Sequence, residues 1–156
     1  MDLDALGNIG EFVGGLGVVV TLAYLGLQIR QNTRTVRASY HQAASDSVIT
    51  IQCQLASDAE LGEIFRRGQV DRSTLSEKEI PRFNYIMAAF TRIIETQHSH
   101  YARGLIDAEQ WARYLDTLRV YAGRPGFVEW WQSRNIPFRP GFSALVDKTI
   151  TGTPAD

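Results

Sequence analysis

Between Phe12 and Leu27, sixteen consecutive residues carry no formal charge. Extending the run to Ile9 and Ile29 makes it twenty-one residues, with Glu11 near one end and Gln28 near the other. A bilayer core takes roughly 20 apolar residues of helix, whereas runs of roughly 10–14 more often mark a buried helix in a water-soluble fold. The run therefore leaves two architectures: a membrane span, or a bundle built around one apolar helix. Eleven of the twenty-one residues are Ile, Val, Leu or Phe. At about −0.3 to −0.6 kcal/mol each near the bilayer centre, they favour insertion by several kcal/mol. The flanks are asymmetric. Residues 1–29 contain no Lys or Arg, and Arg30, Arg34 and Arg37 follow at once. The positive-inside rule then places these arginines as a cytoplasmic-side anchor and the N-terminus outside. The opening Met1-Asp2-Leu3-Asp4 lacks the positive start of a secretory signal. A single transmembrane helix over 9–29 is the expectation, after an N-terminal segment 1–8.

The glycines of this helix are patterned. Gly10, Gly14, Gly17 and Thr21 are spaced 4, 3 and 4, so they share one face, and Gly10 and Gly14 form a GxxxG. In lipid such a face lets a second helix approach closely. In water each glycine costs roughly 1 kcal/mol against alanine. The face predicts self-association or pairing with another membrane protein.

Beyond the run the pattern stays helical. Ile29, Thr33, Val36, Tyr40, Ala44, Val48, Ile51 and Leu55 continue one face, and no glycine lies between Gly26 and Gly62. "SDAELGEIFRRG" has Ser57 or Asp58 as a cap and Gly68 as a stop. Ser76 to Glu79 is a capping-box pattern. Behind it, Ile80, Phe83, Met87, Phe90, Ile94, Gln97 and Tyr101 form the clearest amphipathic helix in the chain. Asp107 caps a helix that turns Trp111, Leu115, Leu118 and Tyr114 inward, and shorter helices begin near Pro125 and Pro140. Nothing alternates as strands do. The expected class is all-α: the N-terminal transmembrane helix continues into a cytoplasmic antiparallel helical bundle over 30–150, with a tail at 151–156.

The run "EFVGGLGVVVTLAYLGLQIRQNTR", then "RASYHQA", "SDAELGEIFRRG" and the late "WW" helix resemble a group of small uncharacterised bacterial proteins. The resemblance spans most of the chain, and its most specific part is "LQIRQNTR". Such proteins are described as membrane-anchored and helical, a domain of unknown function. The resemblance implies the architecture and the bacterial inner membrane, and it implies no catalytic residue.

The sequence offers little for catalysis. It holds no Gly-x-Ser-x-Gly, no Walker loop and no His-Glu-x-x-His. Glu95 and His98 are three apart on one helix face, as in one copy of the Glu-x-x-His element of di-iron bundles. No second copy follows, and Glu95 reads first as a partner of Arg92 or His98 on a half-buried face, so neither a metal nor a cofactor is expected. Cys53, the only cysteine, allows no intrachain disulfide and reads as a packing residue. A formal charge of −1 argues against nucleic-acid binding. Trp130 and Trp131 read first as closing the bundle core, with docking at a membrane–water interface as the alternative. Adjacent residues cannot both face one way on a helix, so one of the two is expected at the surface or at a subunit contact. The expected partners are the lipid membrane and a second copy or another membrane protein. The expected role is association, as a homo-oligomeric scaffold or an accessory subunit of a membrane complex. A homo-oligomeric pore lined by Thr21, Tyr24 and Gln28 and a metal-dependent bundle enzyme are the alternatives.

Overall fold

A computed structural model describes residues 3–152, and their side chains except at 3–10, 12, 13, 37 and 41. Every regular element among the described residues is helical. The order is α1 (Leu3–Ser57), α2 (Ala59–Val70), a 3₁₀ turn (Arg72–Thr74), α3 (Glu79–Ala102), α4 (Ala108–Ala122), α5 (Pro125–Ser133) and α6 (Pro140–Ile150). The chain divides into two units, residues 1–40 and 41–156.

The first unit is helix alone. With no proline before Pro81, nothing in α1 interrupts its hydrogen-bond ladder. Every described side chain from Gly14 to Tyr40 is exposed. Among the described residues, no helix is long and apolar enough to cross a membrane. The expected span at 9–29 begins outside the described side chains, at Ile9, Gly10, Phe12 and Val13. The apolar part that remains, 14–29, is sixteen residues.

The second unit holds the core. Its chain turns are set by local chemistry. The Asp58 carboxylate accepts the Leu61 N–H at 2.9 Å and starts α2. The Glu79 carboxylate accepts the Ser76 N–H at 2.7 Å, which is half of the expected capping box. Gly104, at φ +69°, ends α3. The Leu105 N–H donates to His100 O and the Gly104 N–H to Tyr101 O, both at 2.9 Å, a Schellman motif that a Cβ at Gly104 would strain. Asp107 caps α4 through the Gln110 N–H at 2.8 Å.

The expected inward stripe of α3 is buried at Phe83, Met87, Phe90, Ile94 and Gln97, while Tyr101 at its end is 41 % exposed. The close packings join α2 to α3 and α5, α3 to α4 and α5, and α4 to α5 and α6. Two glycines permit close packing around α2, Gly126 of α5 against its backbone and Gly68 against α3. A Cβ added to Gly126 would fall 1.7 Å from the carbonyl oxygen of Gly68, and one added to Gly68 would fall 2.5 Å from the Phe83 ring. On α1, burial begins only at Ala44, with Val48, Ile51 and Leu55 half-buried along the same face.

Both tryptophans lie in the core. Trp130 and Trp131 are each 1 % exposed, among the largest buried side chains of the protein, so neither ring is offered to a headgroup layer. Adjacent residues on a helix point in different directions, so both can be buried only if the helix is covered on more than one side. The nine-residue α5 meets α2, α3 and α4, which supplies that cover. The Trp131 indole N–H donates to Asp147 at 2.7 Å, satisfying its polar end.

Candidate functional site

The feature least explained by the chain's own packing lies in the first unit. Leu16, Val18, Val19, Val20, Leu22, Leu25, Leu27 and Ile29 are all between 45 and 66 % exposed. At 100° per residue, Leu16, Val20 and Leu27 fall on one side and Val18, Leu22, Leu25 and Ile29 nearly opposite, with Val19 between. A helix apolar on most sides is ordinarily enclosed by protein or lipid. Completing the burial of these eight side chains is worth on the order of 1 kcal/mol each, roughly 8–10 kcal/mol together.

The one sector without aliphatic side chains holds Gly14, Gly17, Thr21, Tyr24 and Gln28, spaced 3, 4, 3 and 4. The expected small-residue face is thus continuous with the expected polar one. The Cβ position of Gly10 lies outside the described side chains. A Cβ added at Gly14, Gly15, Gly17 or Gly26 meets nothing within 4 Å. These glycines serve no close approach within the described chain, unlike Gly68 and Gly126. The Thr21 hydroxyl donates to the Gly17 carbonyl at 2.7 Å, a local bond that hides its polarity within the helix. Arg30 and Arg34 are exposed beyond this segment, and the side chain of Arg37 is outside the described residues.

The second unit carries a cleft that the sequence did not suggest. About 490 Å³ separates Val48 and Ile49 of α1 from Phe90 and Ile93 of α3 and from Tyr114 and Tyr121 of α4. That is within the usual range for small-molecule sites, about 300–1,000 Å³. Gln52, Gln110 and Thr117 add polar groups to its lining. Burial pushes the phenols of Tyr114 and Tyr121 above their ordinary value, against smaller opposing effects of Arg113 and Arg124. Both phenols are therefore harder to ionise than usual. The half-buried positions on α1 were its only sequence signal, and they show only once α3 and α4 stand opposite.

Glu95 and His98 do not form half of a metal site. Glu95 is 4 % exposed. One of its oxygens takes the Arg92 guanidinium at 2.6 Å, and the other takes the backbone N–H of Arg139 at 2.6 Å, just before α6. The carboxylate is thus spent on joining α3 to the start of α6. The His98 ring packs against Trp111 and Phe142, with centroids 5.4 and 5.8 Å away. Burial lowers its proton affinity, and the nearby Glu95 partly restores it. Among the described residues no group of three or more His, Cys, Asp or Glu is placed to hold a metal ion. Cys53 is exposed, so the expected packing role is corrected: it lies on the open side of α1.

Comparison with protein families, with curated proteins and with solved structures finds no match to this chain.

Proposed function

We propose that this is a single-pass, membrane-anchored helical protein that acts by association. Residues 9–29 form the span, with the N-terminus outside. Arg30, Arg34 and Arg37 hold the cytoplasmic side, and residues 30–150 form the cytoplasmic domain, as in the bacterial inner-membrane proteins that the sequence resembles. One observation carries this reading: eight aliphatic side chains from Leu16 to Ile29 are exposed on most sides of α1. No arrangement of one stripe against one partner helix would cover them all, whereas lipid surrounds a helix completely.

Association follows from the glycines. Each costs roughly 1 kcal/mol of helix stability, and Gly14 and Gly17 repay nothing inside the described chain. A second helix seated on Gly10, Gly14, Gly17 and Thr21 would supply the return by close backbone approach. The chain then serves as a homo-oligomeric scaffold or as an accessory subunit of a membrane complex. Carbonate washing of fractionated cells tests the anchor, and release into the soluble fraction would refute it. Replacing Gly14 by Leu should reduce the oligomer seen in mild detergent; an unchanged size would refute the contact face.

A pore is a second reading, because Tyr24 and Gln28 share the glycine face and would line a central path in a ring of first helices. Conductance of protein-loaded liposomes tests it. A metal-dependent helical-bundle enzyme is the third reading; Glu95 lends it no support, because its oxygens are bonded to Arg92 and to the Arg139 N–H.

A further inference from the structure

A second cleft, of about 250 Å³, lies where the C-terminal half of α3 meets the segment entering α6. Arg92, Thr96, Ser99 and Arg103 reach it at spacings of 4, 3 and 4 along α3, with His100 beside them and Arg139 opposite. We propose that this cleft binds a phosphate group, carried by a phosphomonoester or free in solution.

The charge balance is the main argument. Three guanidinium groups line the cleft against one carboxylate, Glu95. That carboxylate is already occupied by Arg92 and by the backbone N–H of Arg139. Among the described residues, the guanidinium groups of Arg103 and Arg139 make no ion pair. Arg66, Arg67, Arg72, Arg82, Arg92, Arg113 and Arg119 each have an acidic partner within 4.0 Å. Arg30, Arg34, Arg124 and Arg134 also lack one among the described residues, but only Arg103 and Arg139 share a cleft with another arginine. Two cations without counter-charge thus share one concavity with a third that is only locally balanced. In a chain of net charge −1 this is a local concentration of positive charge, not an overall excess.

The donors suit an oxyanion. The Arg139 guanidinium donates to Ser99 Oγ at 2.8 Å. That hydroxyl is therefore an acceptor on one side and can turn its own proton into the cleft. Guanidinium groups present planar, paired N–H donors that match two oxygens of a phosphate, and such charge-assisted bonds are about twice as strong as neutral ones. A water occupies about 30 Å³ of liquid, so the cleft has space for a phosphate and a few atoms of whatever carries it. The His100 imidazole is less basic than usual, first through burial and then through the charge of Arg103. A bound anion would oppose the second effect.

The test uses the full chain in neutral detergent, titrated calorimetrically. One arm adds inorganic phosphate; the other adds phosphatidic acid, a phosphomonoester headgroup, to the same micelles. Saturable binding is expected in at least one arm. Binding of phosphate identifies a free ligand, and binding only of doped micelles identifies a lipid headgroup. Arg103→Gln and Arg139→Gln should each weaken binding roughly tenfold, the equivalent of one charge-assisted hydrogen bond. Arg113→Gln, outside the cleft, should leave it unchanged. Circular dichroism establishes that each variant is folded; Arg103 is exposed and decides the matter even if Arg139→Gln unfolds. Failure to saturate in both arms would overturn the proposal. So would wild-type affinity in Arg103→Gln, or an equal loss in Arg113→Gln.

Discussion

Gly126→Ala adds one methyl group to α5 at the point where its backbone meets α2. The new Cβ would fall 1.7 Å from the Gly68 carbonyl oxygen and 2.8 Å from its carbonyl carbon. Cβ atoms essentially never approach within 3.0 Å of another heavy atom, and a helix backbone cannot swing aside as a side-chain tip can. The two helices must therefore separate by more than an ångström. Phe127, Trp130 and Trp131 ride on α5 and are 1–2 % exposed, so the separation opens the centre of the core. Overpacking a core typically costs 1–3 kcal/mol. A backbone obstacle and three displaced rings put this case at the upper end, about 3 kcal/mol, or a melting temperature lower by roughly 10 °C. Urea unfolding followed by tryptophan fluorescence measures the change. Gly141→Ala is the matched control: it also lies in a helix, but its added Cβ meets nothing within 4 Å. It should be neutral or stabilising by about 0.4–1 kcal/mol, through the unfolded chain's entropy. If the two variants agree within about 0.5 kcal/mol, the close approach of α2 and α5 is refuted.

Glu95→Ala should cost about 2–3 kcal/mol by chemical denaturation, because it frees the N–H ahead of α6 and leaves Arg92 without its partner; a loss below about 0.5 kcal/mol would count against the link. His98 is less basic folded than unfolded, so its contribution is complete above about pH 6.5 and is lost as the pH falls through the folded value. The urea midpoint should drop between pH 7.5 and 5.5, and His98→Gln should remove part of that drop; an identical drop in both proteins would refute the assignment. The lowered carboxylates Glu63, Asp71 and Glu79 act in a separate, more acidic window, below about pH 4.5. Gly17→Ala should weaken the oligomer in detergent, whereas Gly15→Ala, which lies off the small face, should not; equal effects on crosslinking would dismiss the face. Cys53 should react with a maleimide in the native protein as fast as in urea, and native protection would contradict its exposure.

Much of the helical framework was legible because its signals are local. Asp58 and Asp107 cap where a short acidic side chain precedes an apolar period. Gly104 stops α3 because only glycine takes its left-handed backbone without strain. The stripe from Phe83 to Gln97 is buried as its spacing implies, since a 3.6-residue period leaves one face for the core. Local signals failed where the answer depends on what lies opposite. Trp130 and Trp131 cannot both face one way on a helix, so their joint burial shows only once α2, α3 and α4 surround α5. The spacing of Arg92 and Glu95 already implied their ion pair, but not the Arg139 N–H, forty-four residues away, that takes the other Glu95 oxygen. Cys53 falls on an amphipathic stretch whose covered side is chosen only by the second unit.

The glycines divide along the same line. Spacing alone puts Gly14 and Gly17 on one face of an apolar helix, because helix geometry is fixed by the backbone and needs no partner. Spacing cannot distinguish them from Gly68 and Gly126, which are equally plain in the sequence. Only the packed chain separates the two kinds. Gly126 is small because the α2 backbone passes within a few ångströms and Gly68 because the Phe83 and Leu75 side chains press against it, while a Cβ at Gly14 or Gly17 would meet nothing within 4 Å. The cleft of Arg92, Arg103 and Arg139 has the same origin. Charges scattered over forty-eight residues become one electrostatic site only when folding brings α3 to the start of α6.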